Sequence, residues 1–175
     1  MEADLSGKVA LVTGSSKGIG RAIAVRFAEN GASTVVNARN PGPALELVEH
    51  IRALGREAHF EQADLYDYQD VKRMVDSAVC KLGKIDILVA NGAAAGPPPQ
   101  SFHQIDPKLY IDCVSSHLFT RLYAVRAVLD HMMARQSGKI IMVTTDAGRT
   151  PTRGESLIGG AAAAVVLMTK ALAME

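Results

Sequence analysis

Residues 13–20 have the composition and spacing of a phosphate-binding turn. The segment reads Thr-Gly-Ser-Ser-Lys-Gly-Ile-Gly, and glycines let a backbone approach an anion closely and adopt unusual dihedral angles. The apolar run 9–12 before it predicts a buried strand, and residues 21–28 after it carry apolar side chains at helical spacing. Because the amino end of a helix offers free N–H groups and a positive dipole, this order of elements predicts a phosphate site. The spacing alone is a weak signal, and the flanking strand and helix make it strong.

Predicted strands and helices alternate along the whole chain. The strands are expected at residues 8–12, 33–37, 58–62, 85–90 and 139–144. The helices are expected at residues 18–30, 41–54, 68–82, 107–135 and 156–175. Strands that are apolar on both faces favour a parallel sheet covered on both sides. Right-handed crossovers then give a Rossmann-like, doubly wound α/β fold that binds its ligand at the carboxyl ends of the strands, beside the first strand.

A few residues predict helix ends and the extent of the domain. Asn40 is expected to cap the second helix, and Asp106 with Pro107 to open the long fourth one. The length of 175 residues, without a linker-like stretch, predicts a single domain over residues 1–175. Residues 171–175 stop inside a helical pattern, without glycine, proline or cap. We therefore expect a fold truncated after the fifth strand and its following helix, without later strands or a substrate loop.

Composition and charge argue against several classes of partner. The net charge is +1, from 19 basic and 18 acidic residues, so no broad positive field favours nucleic acid or an anionic membrane. No apolar run is long enough to span a bilayer. Residues 1–4 lead straight into the first strand, so we expect no signal peptide. Cys80 and Cys113 lack metal-ligand spacing and are expected to be buried free thiols in a reducing compartment. We expect a cytoplasmic protein without a metal site.

The turn at residues 13–20 resembles the nucleotide-binding turn of the short-chain dehydrogenase/reductase family, which has the form T-G-x-x-x-G-I-G. Two later segments share the likeness: Asp64-Leu65 after the third strand, and residues 86–93, Asp-Ile-Leu-Val-Ala-Asn-Gly-Ala, at the fourth. Three motifs in the right order make the resemblance specific, and it covers the whole chain. It implies an NAD(P)-binding domain of the Rossmann type.

The resemblance also implies which residues contact the nucleotide. They are Gly14, Ser16, Lys17, Gly18, Ile19, Gly20, Arg39, Asp64, Leu65, Asn91 and Gly92. The turn glycines would surround the pyrophosphate, Asp64 would lie near the adenine, and Asn91 near a ribose. For Asp64, a carboxylate that only caps its own loop is the alternative. The family's usual N-N-A-G is Ala-Asn-Gly-Ala at residues 90–93, so only one asparagine carries over.

The end of the second strand bears on the choice between NAD and NADP. An acidic residue there hydrogen-bonds the ribose of NAD, whereas a basic residue accommodates the 2′-phosphate of NADP. Residues 36–40 read Val-Asn-Ala-Arg-Asn and contain no carboxylate. Arg39 is placed to meet a 2′-phosphate, and Lys17 in the glycine turn would add a second cation. We expect NADP(H) rather than NAD(H), with solvated surface charges as the alternative.

The residues that carry chemistry in this family are not matched. By the resemblance, a tyrosine exchanges a proton with the substrate oxygen, a lysine lowers the pKa of that tyrosine, a serine polarises the carbonyl, and an asparagine supports a proton relay. Similar stretches on both sides place the serine position at Thr145, the tyrosine position at Ile158 and the lysine position at Ala162. The asparagine position falls on His117. Because general acid–base catalysis is worth about 10²–10⁴-fold, the usual reaction should be nearly abolished.

Three functions stay open at this point. The first is a non-catalytic subunit that binds NADP(H) or a ligand and supports an active partner subunit. The second is an active oxidoreductase on hydroxyl or carbonyl groups, with the hydroxyl of Thr145 and a proton relay through His117. A hydrogen-bonded structural role suits His117 better. The third is a cofactor-binding regulatory protein without turnover.

The resemblance further implies an oligomer. Family members commonly pair through two helices, here 107–135 and 156–175, and the second is rich in the small and apolar residues that close helix packing requires. We expect a homo- or hetero-oligomer whose small-molecule partners are a nicotinamide dinucleotide and a carbonyl, hydroxyl or acyl-thioester ligand. The loop 92–106 is expected to line the ligand pocket.

Overall fold

A five-stranded parallel sheet is built from residues 4–93 and 98–175, the part of the chain that the computed structural model describes. Residues 1–3, to which the prediction about a signal peptide refers, lie outside that part. So do residues 94–97, in the predicted pocket loop. The strands are β1 (Val9–Val12), β2 (Ser33–Ala38), β3 (Ala58–Gln62), β4 (Ile87–Ala90) and β5 (Lys139–Met142). Their order is β3-β2-β1-β4-β5, so the winding reverses at β1. This order confirms the doubly wound α/β fold, whose ligands bind at the carboxyl edge beside β1.

Helices cover both faces of this sheet. In the described residues they are α1 (Gly18–Glu29), α2 (Gly42–Ala53), α3 (Tyr68–Leu82), α4 (Tyr110–His117), α5 (Phe119–Ala134) and α6 (Ser156–Leu172). Helices α1 and α2 share an apolar cluster with Val12 of β1, whereas α3 and α5 share a second cluster with Leu11. Neighbouring residues of β1 therefore point into opposite layers, as expected for a strand buried on both faces.

The prediction of one long helix from Pro107 to Arg135 is wrong, although Asp106 caps its start as predicted: Pro107–Leu109 form a 3-10 turn, and the α-helix that follows is interrupted at Leu118. Leu118 has φ −107° and ψ −62°, and a separate α5 begins after it. In a continuous helix the backbone N–H of Arg121 would bond to His117 O. Instead that N–H bonds to Leu118 O at 3.1 Å, and the Arg121 side chain donates to His117 O at 2.8 Å. The side chain thus replaces one backbone bond of the helix.

Smaller corrections concern a cap, a thiol and two strand ends. Asn40 does not cap α2, which begins at Gly42 after Pro41 in the helical conformation and has no side-chain cap. Cys80 is exposed rather than buried, whereas Cys113 is buried as predicted, and both thiols are free. Strand β4 begins, and β5 ends, two residues inside the predicted bounds. No helix within the described ranges combines the length and the apolar character that crossing a membrane would need.

Candidate functional site

The glycine turn between β1 and α1 touches the loop that leaves β4. Gly14 has φ +61°, and a Cβ added to it would lie 2.5 Å from Gly92 Cα. A Cβ on Gly20 would lie 2.6 Å from both Gly14 O and Asn91 Nδ2. Both positions therefore exclude a side chain, and Gly14 also needs a backbone conformation that other residues rarely adopt. The glycines therefore let the turn pack backbone against backbone with the loop after β4, at the carboxyl edge of the sheet.

The amino end of α1 keeps its first-turn N–H groups free of side-chain caps. Lys17 takes the N-cap position with extended backbone, no side chain bonds to the first turn, and no acidic residue lies there. Gly18 and Ile19 are exposed, and Ser16 is half-buried. Because such a helix end offers unpaired donors and positive potential, it fits the pyrophosphate of a dinucleotide.

Asn37 of β2 holds this turn in place, a role that the sequence reasoning missed. Its Oδ1 accepts from Gly14 N–H at 3.0 Å, and its Nδ2 donates to Glu61 O at 3.2 Å. Its backbone N–H donates to Ser15 Oγ at 3.0 Å, and Ser15 donates to Val12 O at 2.7 Å. Asn37 and Ser15 are buried. The available signal was a lone amide inside a strand of β-branched residues, where asparagine is disfavoured.

Thr13 begins the predicted turn, and its link to the loop after β4 is a second contact that the sequence did not predict. Its Oγ1 accepts from the N–H groups of Asn91 at 3.0 Å and Gly92 at 3.1 Å. Asn91 Nδ2 donates back to Thr13 O at 3.1 Å and to Gly14 O at 3.3 Å. The structure therefore brings together Gly14, Asn91 and Gly92, three of the residues singled out from the sequence. The contact of Asn91 with a ribose stays a prediction.

Asp64 and Leu65 lie in the loop between β3 and α3. Leu65 is buried, and a Cβ on Gly92 would collide with its Cδ1. Asp64 is half-buried: its Oδ1 accepts from Tyr66 N–H at 3.1 Å, and its own N–H donates to Asp70 Oδ2 at 3.3 Å. The loop-capping role of Asp64 is thus present, and its place near an adenine stays a prediction.

Arg39 and Lys17 are the two cations expected beside a 2′-phosphate, and both are exposed. Within residues 4–93 and 98–175 neither has a carboxylate within 4.0 Å. The carbonyl of Arg39 accepts from Gln62 Nε2 at 2.8 Å, which fixes the end of β2 against β3. Ala38, just before Arg39, is buried and places no acid there.

Thr145 and His117 lie on the β5 side of the site. Thr145 is half-buried, and its Oγ1 accepts from Ala147 N–H at 3.3 Å, so it caps a short 3-10 turn. Burial and the cation of Arg121 lower the pKa of His117, so the neutral imidazole predominates at pH 7. Arg121 joins the two segments by donating to His117 O at 2.8 Å and to Val143 O at 2.6 Å.

Ile158 and Ala162 lie one turn apart on α6, which packs tightly against the loop after β5. A Cβ on Gly148 would lie 2.9 Å from Ala162 Cβ, and one on Gly159 would lie 2.8 Å from Ala147 O. Ala162 is fully buried and Ile158 is half-buried. Neither side chain carries a titratable group, so neither can exchange a proton with a ligand.

Comparisons with known proteins give consistent likenesses. The sequence model of the short chain dehydrogenase family matches residues 8–175. The 7α-hydroxysteroid dehydrogenase of Escherichia coli (strain K12) is 34% identical over 141 residues, which cover 81% of this chain and 54% of that protein. The chain thus spans about half the length of this relative. The 3-oxoacyl-[acyl-carrier-protein] reductase FabG of Chlamydia pneumoniae is 31% identical over 175 residues, covering 100% of this chain and 70% of that protein.

A solved structure extends these likenesses to three dimensions. It is a 7α-hydroxysteroid dehydrogenase in complex with NADH and 7-oxo glycochenodeoxycholic acid. The sequence identity is 31% and the TM-score is 0.86, with 93% of this chain and 63% of that chain covered.

Proposed function

The chain belongs to the short-chain dehydrogenase/reductase family, and we propose that it binds NADP(H) but lacks most of the proton-transfer chemistry of that family. In this proposal residues 1–175 form one NADP(H)-binding domain. The protein acts as a catalytically impaired or non-catalytic subunit beside an active partner subunit. Bound NADP(H) would supply or accept a hydride, and the chain's own residues orient the nucleotide and shape the ligand pocket.

The observation that carries this proposal is a contrast between two parts of one site. The turn at residues 13–20 has the closely packed glycines, the uncapped helix end and the buried anchors that a pyrophosphate needs. On α6, Ile158 and Ala162 take the positions that family resemblance gives to the tyrosine and the lysine. Neither side chain has an ionisable group, so neither can donate a proton to the carbonyl oxygen of a ligand.

We assign the 2′-phosphate of NADP(H) to Arg39, with Lys17 as a second cation. Since charge-assisted hydrogen bonds are worth about 1.5–3 kcal/mol, Arg39→Ala should weaken NADPH binding roughly tenfold to 100-fold and leave NADH binding unchanged. Arg56→Ala is the matched control, because Arg56 is exposed but precedes β3 and so lies at the amino ends of the strands, whereas Arg39 follows β2 at their carboxyl ends. Equal losses for NADPH and NADH in Arg39→Ala would contradict the assignment.

The function is tested by separating nucleotide binding from turnover. NADPH fluorescence on titration with purified protein measures binding, and a panel of ketones and 3-oxoacyl thioesters measures oxidation of the nucleotide. We expect binding with little or no turnover. Ile158→Tyr combined with Ala162→Lys should then raise turnover, whereas either single variant should not. Urea unfolding checks that the double variant is folded, because Ala162 is fully buried. Measurable wild-type turnover that matches the turnover of the folded double variant would refute the proposal.

An active enzyme with an altered relay is a second candidate, favoured by the neutral, half-buried His117 near the end of β5. In that case His117 moves the proton and Thr145 donates a hydrogen bond. His117→Ala should abolish any turnover found, and His103→Ala, an exposed histidine outside this region, should not. Turnover that survives His117→Ala would rule out the relay.

The partner subunit is assigned to the surface of α4, α5 and α6, within residues 107–135 and 156–175. Exposed apolar side chains on these helices include Ile111 at 78%, Phe119 at 42% and Leu167 at 69% exposure. Co-expression with an active family member and native mass spectrometry should show a mixed oligomer. Nucleotide binding with neither turnover nor mixing would favour the regulatory function instead.

The two free thiols suit the reducing cytoplasm, where we place the protein.

A further inference from the structure

Arg121 is a buried arginine that the proposed nucleotide site leaves unused. The residue is 5% exposed. Its Nε–H donates to Val143 O at 2.6 Å and its Nη1 to His117 O at 2.8 Å, with longer contacts to Ser116 O at 3.4 Å and Thr120 Oγ1 at 3.5 Å. The side chain therefore connects the break between α4 and α5 to the end of β5.

The charge of Arg121 has no anionic partner in the part of the chain that the structure describes. All four acceptors are uncharged, and no carboxylate lies within 4.0 Å, whereas Arg135 pairs with Asp86 at 2.8 Å. Burial lowers the pKa of Arg121, but a guanidinium stays protonated at neutral pH. The last carbonyls of α4 carry the negative end of a helix dipole, which offsets only part of a unit charge. A net positive charge therefore remains inside the molecule.

Arg121 and Arg39 lie on opposite sides of β1, both at the carboxyl ends of the strands. Val143 follows β5, and its N–H donates to Ala90 O at the end of β4. Arg39 follows β2, on the other side of β1. In a doubly wound fold a dinucleotide lies across the switch point, with one mononucleotide on each side. If the 2′-phosphate is at Arg39, as proposed above, the nicotinamide falls on the side of Arg121.

We propose that Arg121 makes the site prefer the reduced nucleotide over the oxidised one. The nicotinamide ring of NADP⁺ is cationic and that of NADPH is neutral, so a buried positive charge repels the oxidised ring and spares the reduced ring. This inference rests on the proposed NADP(H) binding and extends it, because it makes Arg121 the residue that determines which redox state of the ligand is bound.

The test is the ratio of two dissociation constants, NADP⁺ over NADPH, measured by calorimetry at low ionic strength. The wild-type ratio should exceed one. Arg121→Met should lower it on the order of 4- to 16-fold, as for two unit charges roughly 10 Å apart at an effective dielectric constant of about 40 to 20. Arg121→Lys keeps the charge and should keep the preference. Arg126→Met is the matched control, because Arg126 is exposed on the same helix and pairs with Asp130.

The ratio of the two dissociation constants distinguishes an effect of the Arg121 charge from an effect of its structural role, since a loosened fold weakens the binding of both nucleotides together. If Arg121→Met does not fold, Arg121→Gln, which is neutral but keeps an N–H donor, replaces it. An unchanged ratio in either folded variant overturns the proposal. So does a wild type that binds NADP⁺ as tightly as NADPH, which needs no variant. A wild type that binds neither nucleotide refutes the proposed function itself, and with it this preference.

Discussion

Asn37 is a single side chain on which the position of the glycine turn depends. It is 1% exposed, and its amide accepts from Gly14 N–H while donating to the carbonyls of Glu61 and Ala63. The site needs an acceptor on one side and a donor on the other, which only an amide of this size provides. A buried polar group that loses its partner costs about 1–3 kcal/mol, so this residue affects both stability and ligand binding.

We expect Asn37→Ala to lower the free energy of unfolding by about 2–3 kcal/mol and to weaken NADPH binding, because Gly14 N–H and two carbonyls lose their partner. Asn37→Asp keeps the acceptor but turns a carboxylate towards Glu61 O, and it should bind NADPH still more weakly. Urea unfolding and NADPH fluorescence titration measure the two effects. Asn40→Ala, at an exposed position, should change stability by less than about 0.5 kcal/mol. Wild-type stability in Asn37→Ala would contradict this role.

Asp86 joins the start of the central strands β1 and β4 to the end of α5. Its carboxylate accepts from Val9 N–H at 3.0 Å and Arg135 Nη2 at 2.8 Å, and lies 3.1 Å from Lys84 Nζ. Burial alone would raise the pKa of Asp86, but the bonds from Arg135, Val9 and Lys84 outweigh it and lower that pKa to about 2. Because the pKa of an aspartate in the unfolded chain is about 3.9, ionised Asp86 stabilises the fold above that pH.

Asp86→Asn should therefore lower the free energy of unfolding by about 2 kcal/mol at pH 7. The difference from wild type should stay constant down to about pH 4 and shrink between about pH 4 and 2, where the wild-type carboxylate protonates. Urea unfolding at a series of pH values measures it. Asp76→Asn is the control, since Asp76 pairs with Lys72 on the surface and should contribute less than about 1 kcal/mol. A difference that persists unchanged at pH 2 would mean that ionisation of Asp86 is not the cause.

Two neighbouring glycines of α6 allow the effect of close packing on stability to be distinguished from the effect of helix propensity. A Cβ on Gly159 would lie 2.8 Å from Ala147 O, whereas one on Gly160 meets nothing within 4 Å. Gly160→Ala should raise the free energy of unfolding by about 0.5–1 kcal/mol through helix propensity alone. Gly159→Ala has the same propensity gain but pushes α6 away from the loop after β5, so it should destabilise by about 1–2 kcal/mol net. Thermal unfolding of both variants decides, and equal effects would show that α6 is not closely packed there.

Elements defined by local signals were predictable, and those defined by distant contacts were not. Helix α3 matches its predicted bounds, Tyr68 to Leu82, because Asp67 caps its start and Gly83, at φ +75°, ends it. The break at Leu118 depends on Arg121 reaching Val143, 22 residues further along the chain. No periodicity in residues 107–135 records that contact.

The same distinction applies to the candidate site as a whole. The residues in the turn motif were predictable because the strand, the glycines and the helix are contiguous in the chain. The roles of Asn37 and Thr13 depend on the pairing of β1 with β2 and β4, which brings positions 23 and 78 residues apart into hydrogen-bond contact. A sequence pattern gives the order of elements, but the strand order across the sheet decides which polar side chains meet.

Nucleotide binding should be coupled to the stability of the entire fold. A ligand that binds only the folded state stabilises it by about 2.7 kcal/mol at 100 times its dissociation constant, which for a chain of this length corresponds to a rise in Tm of roughly 5–10 °C. NADPH should therefore raise the Tm of the wild type. Gly14→Ala should abolish that rise, because its Cβ would lie 2.5 Å from Gly92 Cα and separate the two loops of the site.

Gly55→Ala is the control that isolates the site from backbone strain. Gly55 has φ +75°, close to the +61° of Gly14, but a Cβ there meets nothing within 4 Å, and the residue follows α2 away from the turn. Both variants should lose Tm without ligand, since both force alanine into a left-handed conformation. Only Gly55→Ala should keep the full rise with NADPH, measured by differential scanning fluorimetry. If Gly14→Ala keeps it too, the nucleotide does not bind at the contact between the turn and β4, and the site assignment fails although the fold stands.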